Sequence, residues 1–329
     1  MKAAALVVSL SMLIGVCAGC SQNKLIELHN PADVLSLVDI DEEGVMDIAP
    51  EMVPLTAFPA MFSMPMPAAE GSKVSKNAKA EVDYSNTKDG YVMVKYLQKT
   101  TKPVKVIVTG PSGTPYTYTL KTTGEHEVFP LSDSNGSYTV AVYENVEGNK
   151  YATANSVKFD VSLADEFAPF LRPNQYVNYS PSSKVVVQAA ELTKNAKNMT
   201  EQITAVYDYV VKNFTYDKQL AATVQSGYLP NLDAVFDKKT GICFDYAAVM
   251  TAMLRSQGVP TKLVIGYTGS VYHAWISTYS KETGWVESVY FDGKKWSLMD
   301  PTFDSTGGQS AAVREFIGDG KNYSAKYLY

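Results

Sequence analysis

Cysteine and histidine are both scarce in this chain, which holds three of each among 329 residues. A protein metal site takes several such ligands at short spacing, and no pair of histidines or cysteines stands at ligand spacing in the mature sequence. The sequence also lacks a dinucleotide-binding fingerprint and a glycine-rich phosphate loop after a strand. We therefore expect no bound metal and no cofactor.

Positive charge is not in excess either. The formal net charge is −5, so the sequence offers no basic surface for nucleic acid. Beyond the N-terminal segment, no apolar run approaches the roughly 20 residues that a helix needs to cross a bilayer. The remaining composition is that of a folded, soluble body, and the length allows two domains and a tether.

The N-terminal segment reads as a secretory signal. Lys2 supplies positive charge, and residues 3–16 form an apolar run that is short for a membrane span. The following Val16-Cys17-Ala18-Gly19-Cys20 resembles a bacterial lipobox, although Cys17 stands where leucine is commoner. This resemblance implies that Cys20 is lipidated and becomes the mature N-terminus. The alternative is an ordinary cleaved signal peptide.

Lipidation would leave Cys243 as the free thiol of the mature chain, because Cys17 leaves with the signal (residues 1–19) and Cys20 carries lipid. One lipid anchors a protein to a membrane without spanning it. We therefore expect an extracytoplasmic protein that is lipid-anchored at the cell membrane. Residues 20–79, which have no lasting hydrophobic period, are expected to be a tether.

Residues 80–165 hold short β-like runs that are separated by turn signals. The runs 91–96, 104–108 and 116–120 are rich in Val, Tyr and Thr, and the last two alternate. Several short strands at this spacing predict a small all-β sandwich of the Ig-like type. No catalytic constellation is visible in it, and we interpret His126, which lies between two glutamates, as a solvated surface residue.

Residues 166–329 change to helices and then back to strands, which predicts an α+β domain. Apolar residues from Ile203 to Phe214 recur at helical spacing, and Asn198 followed by Glu201 predicts the start of that helix. Another helix begins near Cys243 and ends before Gly258. The strands predicted after it cover residues 262–267, 271–279, 285–291 and 295–300, with a hairpin turn at Asp292-Gly293 between the last two.

Three residues in this domain have the chemistry of a nucleophile, a base and an orienting acid. Cys243 follows a glycine-bearing turn and opens a helix, where unpaired N–H groups and the helix dipole favour a thiolate. His273 lies within a predicted strand, and Asp300 ends the strand after the hairpin. Taken singly, these residues are more often a buried apolar Cys, a structural His and a turn-forming Asp.

Five segments in order resemble the transglutaminase-like superfamily of papain-fold cysteine enzymes. The resemblance implies a papain-like fold with an intact triad of Cys243, His273 and Asp300. It also makes the main-chain N–H of Cys243 a natural oxyanion donor, and Tyr216 either lines the cleft or packs in the core. The segments lie at 205–217, 241–247, 258–266, 273–275 and 296–302.

The function that follows is attack on an amide bond of a protein or peptide, with cell-wall peptide as one candidate, through a thioester on Cys243. Resolution by an amine gives cross-linking, whereas water gives deamidation or proteolysis. Two alternatives stay open. One is a non-catalytic binding or scaffolding lipoprotein, and the other is an adhesive surface protein that works through its β-sandwich.

Overall fold

The computed structural model of the protein describes residues 26–27, 63–280, 284–287, 290–291, 296–297 and 323–329. Two antiparallel sheets share an apolar core in the N-terminal half, and helices pack against another antiparallel sheet in the C-terminal half. This architecture confirms the predicted α+β fold with an all-β sandwich ahead of the papain-like part.

The sandwich consists of a five-stranded sheet in the order β1-β9-β8-β5-β6 and a four-stranded sheet in the order β2-β3-β4-β7. All the neighbouring strands in these two sheets pair antiparallel. The strands are β1 (Ile26–Glu27), β2 (Val74–Lys76), β3 (Ala80–Asp83), β4 (Tyr91–Tyr96), β5 (Val104–Thr109), β6 (Pro115–Leu120), β7 (Glu127–Pro130), β8 (Gly136–Glu147) and β9 (Lys150–Val161).

Strand β6 forms one edge of the five-stranded sheet and alternates in burial. Tyr118 is buried in the sandwich core, where its ring meets Phe129 with 4.8 Å between centroids. Because successive side chains on a strand point to opposite faces, Thr117 and Thr119 lie on the other face and are only partly buried. That outer face is turned toward the C-terminal half of the chain.

The structure extends the sandwich into the segment that the sequence assigned to the tether. Strand β2 pairs with β3, and Ile26 of β1 pairs with Tyr151 of β9. Short strands of this kind carry too few residues for a detectable period. His126 also differs from its interpretation as a solvated residue, because its Nε2 lies 3.0 Å from Glu81 Oε1 and its side chain is mostly buried.

In the part of the chain that the structure describes, three longer α-helices and two short ones form the helical layer. Helix α2 begins as predicted, since the Asn198 side chain accepts a hydrogen bond from the Glu201 N–H at 2.8 Å. Helix α5 is buried along its whole length except at Phe244. The helices are α1 (Lys184–Thr193), α2 (Met199–Asn213), α3 (Lys218–Thr223), α4 (Leu232–Lys238) and α5 (Cys243–Ser256).

The C-terminal sheet has the order β14-β13-β12-β17 and packs against α5 through β12 and β13. Two minor pairs accompany it, one parallel between β10 and β11 and one antiparallel between β15 and β16. The predicted turn at Asp292-Gly293 lies outside the described residues. The strands are β10 (Thr215–Tyr216), β11 (Thr240–Gly241), β12 (Thr261–Thr268), β13 (Val271–Ser280), β14 (Gly284–Glu287), β15 (Tyr290–Phe291), β16 (Trp296–Ser297) and β17 (Tyr323–Leu328).

A buried arginine joins α5 to its surroundings. The Arg255 guanidinium is fully buried and donates to main-chain oxygens of Thr261 at 2.8 Å, Arg172 at 2.7 Å and Tyr329 at 2.6 Å. Strand β17 in turn contacts the sandwich, because Ser132 Oγ donates to the Leu328 oxygen at 2.6 Å. Within the described ranges, no helix combines the length and apolar character needed to cross a membrane.

Candidate active site

Cys243 is the first residue of α5, and the chain around it is closely fixed. Ile242 is extended and precedes the helix, and its N–H donates to Asp245 Oδ2 at 2.9 Å. A side chain at Gly241 would place its Cβ 2.6 Å from the Asp245 Cβ, so glycine is required there. The Cys243 thiol therefore sits at a helix start that a buried carboxyl holds in place.

The helix start gives Cys243 an electrostatic setting that suits a nucleophile. The first N–H groups of a helix have no partner within the helix, and the dipole places partial positive charge there. Both features stabilise negative charge that develops near the first turn of a helix. Cys243 is itself 2 % exposed and lines the cavity described below.

Asp245 is fully buried and has two hydrogen-bond donors. Tyr228 Oη donates to Asp245 Oδ1 at 2.7 Å, and the second donor is the Ile242 N–H. Burial raises the pKa of the Asp245 carboxyl, and these two hydrogen bonds oppose that shift. Burial and the neighbouring Asp245 also raise the pKa of Tyr228. Asp245 and Tyr228 therefore join the helix start to the segment that carries Tyr228.

His273 lies on the central strand β13 and is 5 % exposed. It pairs across with Gly266 of β12 and shares its strand face with Trp275, whose ring is 6.2 Å from the imidazole at 20°. A Cβ at Gly266 would lie 2.1 Å from the Ser324 oxygen and 2.8 Å from the Trp275 ring. Glycine at this position lets β17 and Trp275 approach, which fixes the surroundings of the histidine.

Cys243 and His273 line one cavity of about 80 Å³. Tyr228 and Tyr272 line it as well, and no Asp, Glu, Lys or Arg stands among the described residues of its wall. This volume exceeds what a single water molecule needs. The neutral wall of the cavity suits an uncharged polar group.

The sandwich supplies part of the cavity wall. Thr117 and Thr119 of β6 line it, together with Gln175 and Tyr176 from the segment that joins the two halves. The ring of Tyr176 packs against Phe244, with 5.4 Å between the centroids. The cavity therefore lies between the sandwich and the papain-like part.

Among the residues predicted for the site, Cys243 and His273 meet at this cavity, whereas Asp300 and Cys20 lie outside the described residues. Tyr216 is not among the described residues of the wall. Its backbone pairs with Gly241, and its ring faces Tyr246 of α5 at 6.5 Å between centroids. Tyr216 thus packs beside the helix, and its role at the cleft stays a prediction.

Sequence reasoning missed the other residues of the cavity. Tyr228 follows Gly227 in a loop without any motif, and only its contact with Asp245 marks it. Gln175 and Thr119 are 56 positions apart and come together through the fold. Tyr272 directly precedes His273, and proximity to the histidine is the one signal that points to it.

Residues 187–301 match the family model of the Transglutaminase-like superfamily. This part of the chain is therefore a transglutaminase-like domain, and it contains Cys243, His273 and Asp300.

Two curated proteins are related to part of this chain. The uncharacterized protein YebA of Bacillus subtilis is 32 % identical over 186 residues, which are 49 % of this chain and 25 % of YebA. A protein-glutamine gamma-glutamyltransferase of Pseudomonas aeruginosa is 32 % identical over 85 residues, 22 % of this chain and 11 % of the enzyme. The chain thus spans about a quarter of the length of YebA and about a tenth of the length of the Pseudomonas aeruginosa protein.

Among solved structures, the periplasmic domain of TgpA from Pseudomonas aeruginosa, bound to ethylmercury, is similar to this chain. The TM-score is 0.31 and the identity 16 %, with 70 % of this chain and 75 % of that chain covered.

Proposed function

We propose that this protein is a cysteine enzyme that attacks the amide carbonyl of a protein or peptide through Cys243. The observation that carries the proposal is the shared cavity: a thiol at a helix start and a histidine line one small, uncharged space. The family match to residues 187–301 supports it, because the match includes both residues.

The substrate group that fits best is a primary carboxamide, such as the side chain of glutamine. A carboxamide has no charge and both donates and accepts hydrogen bonds, which agrees with the neutral, partly polar wall of the cavity. The Pseudomonas aeruginosa relative is named for action on protein glutamine, and this supports the same substrate class here.

In the proposed reaction, the Cys243 sulfur bonds to the carbonyl carbon and the carbonyl oxygen becomes an oxyanion. The main-chain N–H of Cys243 is the proposed donor to that oxyanion. His273 takes the proton of the Cys243 thiol and gives it to the nitrogen. The oxyanion then re-forms the carbonyl and the carbon–nitrogen bond breaks, so the nitrogen leaves as ammonia or an amine and the thioester remains. Asp300 is the proposed partner that orients the imidazole.

The thioester is then resolved by water or by an amine. Water gives a carboxylic acid, which amounts to deamidation or proteolysis, and an amine gives a new amide and a cross-link. In either case His273 removes a proton from the incoming group and returns it to the sulfur. A small cavity between two halves of the chain favours an acceptor that enters after the first product has left.

We also propose that the enzyme works outside the cytoplasm, held at the membrane by lipid on Cys20. The Ala18-Gly19-Cys20 end of the signal segment supports this proposal. Cys20→Ala should release the protein from the membrane fraction or block its processing. An unchanged membrane fraction with an unchanged mature mass would contradict it.

The catalytic proposal is tested with a neutral glutamine peptide, incubated with and without a primary amine. We expect release of ammonia and, with the amine, a covalent adduct. Asp300→Asn should lower turnover by up to about 10⁴-fold while the protein stays folded, since the amide keeps the shape of the carboxyl. If Asp300→Asn is folded and fully active, Asp304 is the next carboxylate to try.

A further inference from the structure

The segment between the sandwich and the papain-like part contains a buried side chain with an unused acceptor. Gln175 is 7 % exposed and lines the cavity that holds Cys243. Its Oε1 is buried and has no hydrogen-bond partner among the described residues. A buried carbonyl oxygen without a donor is unfavourable, so its retention beside a reactive thiol calls for an explanation.

The orientation of the Gln175 amide is fixed by its neighbours. Gln175 Nε2 donates to the Thr119 main-chain oxygen at 2.7 Å and to Glu127 Oε2 at 2.9 Å. Both neighbours are acceptors, so the NH₂ group must point toward them and the oxygen must point away. The main-chain N–H of Gln175 donates to the Val128 oxygen at 3.1 Å. The sandwich therefore holds this residue through three hydrogen bonds, two from the side chain and one from the main chain.

The loop that carries Tyr228 meets the sandwich at the same place. Gly227 has φ of +87°, and a Cβ there would lie 3.9 Å from Thr119 Oγ1. Thr117 and Thr119 complete this side of the cavity. The wall opposite the papain-like part is thus made by β6 and Gln175, which we call the sandwich wall.

We propose that the sandwich wall recognises the substrate and that Gln175 Oε1 accepts a hydrogen bond from a neutral amide N–H of the bound peptide. The donor must be neutral, because an ammonium group would need an anion, and the described wall of the cavity contains no carboxylate. This inference rests on the proposed function in that it takes the cavity as a peptide site, and it adds a specificity-determining residue from the other half of the chain.

The test measures binding without turnover, in protein carrying Cys243→Ala. The probes are tripeptides that are N-acetylated and C-amidated, have glutamine in the centre and vary in the flanking neutral residues. For the tightest binder, each main-chain N–H and the side-chain NH₂ is methylated in turn. We expect methylation at one of these nitrogens to weaken binding about tenfold.

The same methylation should have no effect when Gln175→Met is added, because the acceptor is already gone. Comparing the two changes singly and together separates the contact between Gln175 and the methylated nitrogen from any general loss of structure. Glu127→Gln is the matched control, since it keeps an oxygen for Gln175 Nε2 and leaves Oε1 in place. The methylation penalty should therefore persist in Glu127→Gln.

A penalty that stays in Gln175→Met would overturn the inference, and so would a library in which no peptide binds. Turnover of the same peptides by the unaltered protein is measured in parallel. Binding that depends on Gln175 without turnover would contradict the proposed function alone. Turnover without dependence on Gln175 would contradict this inference alone.

Discussion

Two buried carboxylates, Glu81 in the sandwich and Asp245 at the start of α5, are held in opposite ways. Glu81 lies 2.9 Å from Lys76 Nζ and 3.0 Å from Lys95 Nζ. Burial raises its pKa, but the hydrogen bonds and charges of the two lysines outweigh this and lower it to about 2. Asp245 has only an N–H and a phenol, and burial raises its pKa.

The difference shows how each half of the molecule uses a buried charge. In the sandwich, cationic side chains keep a carboxylate ionised, so its contribution depends on pH. At α5, a main-chain N–H and a phenol hold Asp245. At the other end of the helix, the described hydrogen bonds of the Arg255 guanidinium all go to main-chain oxygens. The polar side chains of α5 thus fix the position of the helix. Their loss should shift the start of the helix as well as lower the free energy of unfolding.

The largest effect on stability is expected for Arg255→Met. The substitution removes the guanidinium donor from three main-chain oxygens, of which that of Tyr329 keeps the Leu263 N–H at 2.9 Å. The free energy of unfolding should fall by about 3–5 kcal/mol. Chemical denaturation measures this value. Arg255→Lys keeps the charge but can reach fewer of the oxygens. Its free energy of unfolding should therefore lie between those of Arg255→Met and the unaltered protein. A loss below about 1 kcal/mol in Arg255→Met would show that these bonds contribute little.

Asp245→Ala should come next. It removes the acceptor for the Ile242 N–H and for Tyr228, at a cost of about 2–3 kcal/mol. Because Cys243 lies two residues before Asp245, turnover should fall as well. Asp245→Asn keeps an acceptor and the shape, so it should recover most of both properties. If Asp245→Asn and Asp245→Ala lower stability and turnover equally, the charge of Asp245 matters and its two hydrogen bonds do not.

Glu81→Gln tests the other side of the comparison. The folded-state pKa of about 2 is below the ordinary value of 4.5, so the stabilisation is complete above about pH 5 and is lost as the pH falls toward 2. At neutral pH the substitution should lower the free energy of unfolding by on the order of 2 kcal/mol. This is less than the full pKa shift implies, because solvent screens the exposed Lys76. Unfolding curves of Glu81→Gln and the unaltered protein should converge near pH 2; a constant gap would contradict this account.

The smallest effect is expected for Tyr228→Phe, which removes one hydrogen bond to Asp245 and keeps the ring. Stability should fall by about 1 kcal/mol. The Michaelis constant for the glutamine peptide should change more than the turnover number, since Tyr228 lines the cavity and takes no part in the proposed proton transfers. Tyr216→Phe is the matched control, because Tyr216 packs beside α5, and we expect it to leave both constants unchanged.

Much of the fold could be predicted because its signals are local. The strand at 91–96 has the predicted bounds, and α2 starts at the predicted cap. Helices α3 and α4 are too short to show a period. Asp217 precedes α3 directly and caps it by accepting from the Leu220 N–H at 2.8 Å.

The residues of the site likewise divide into those with a local sequence signal and those without one. Cys243 and His273 stand in recognisable segments, so their positions could be predicted from the sequence. Gln175 and Tyr228 could not, because they reach the cavity through contacts between residues far apart in the chain. No local pattern in β6 distinguishes its two threonines from those of an ordinary edge strand.

The most direct test of the account is to look for the thioester itself. The protein is mixed with the neutral glutamine peptide, quenched in acid and analysed by peptide mapping. We expect the peptide's acyl group on Cys243, and no such adduct and no turnover in Cys243→Ala that circular dichroism shows to be folded. Full turnover in folded Cys243→Ala, or an acyl group on another residue, would contradict the account.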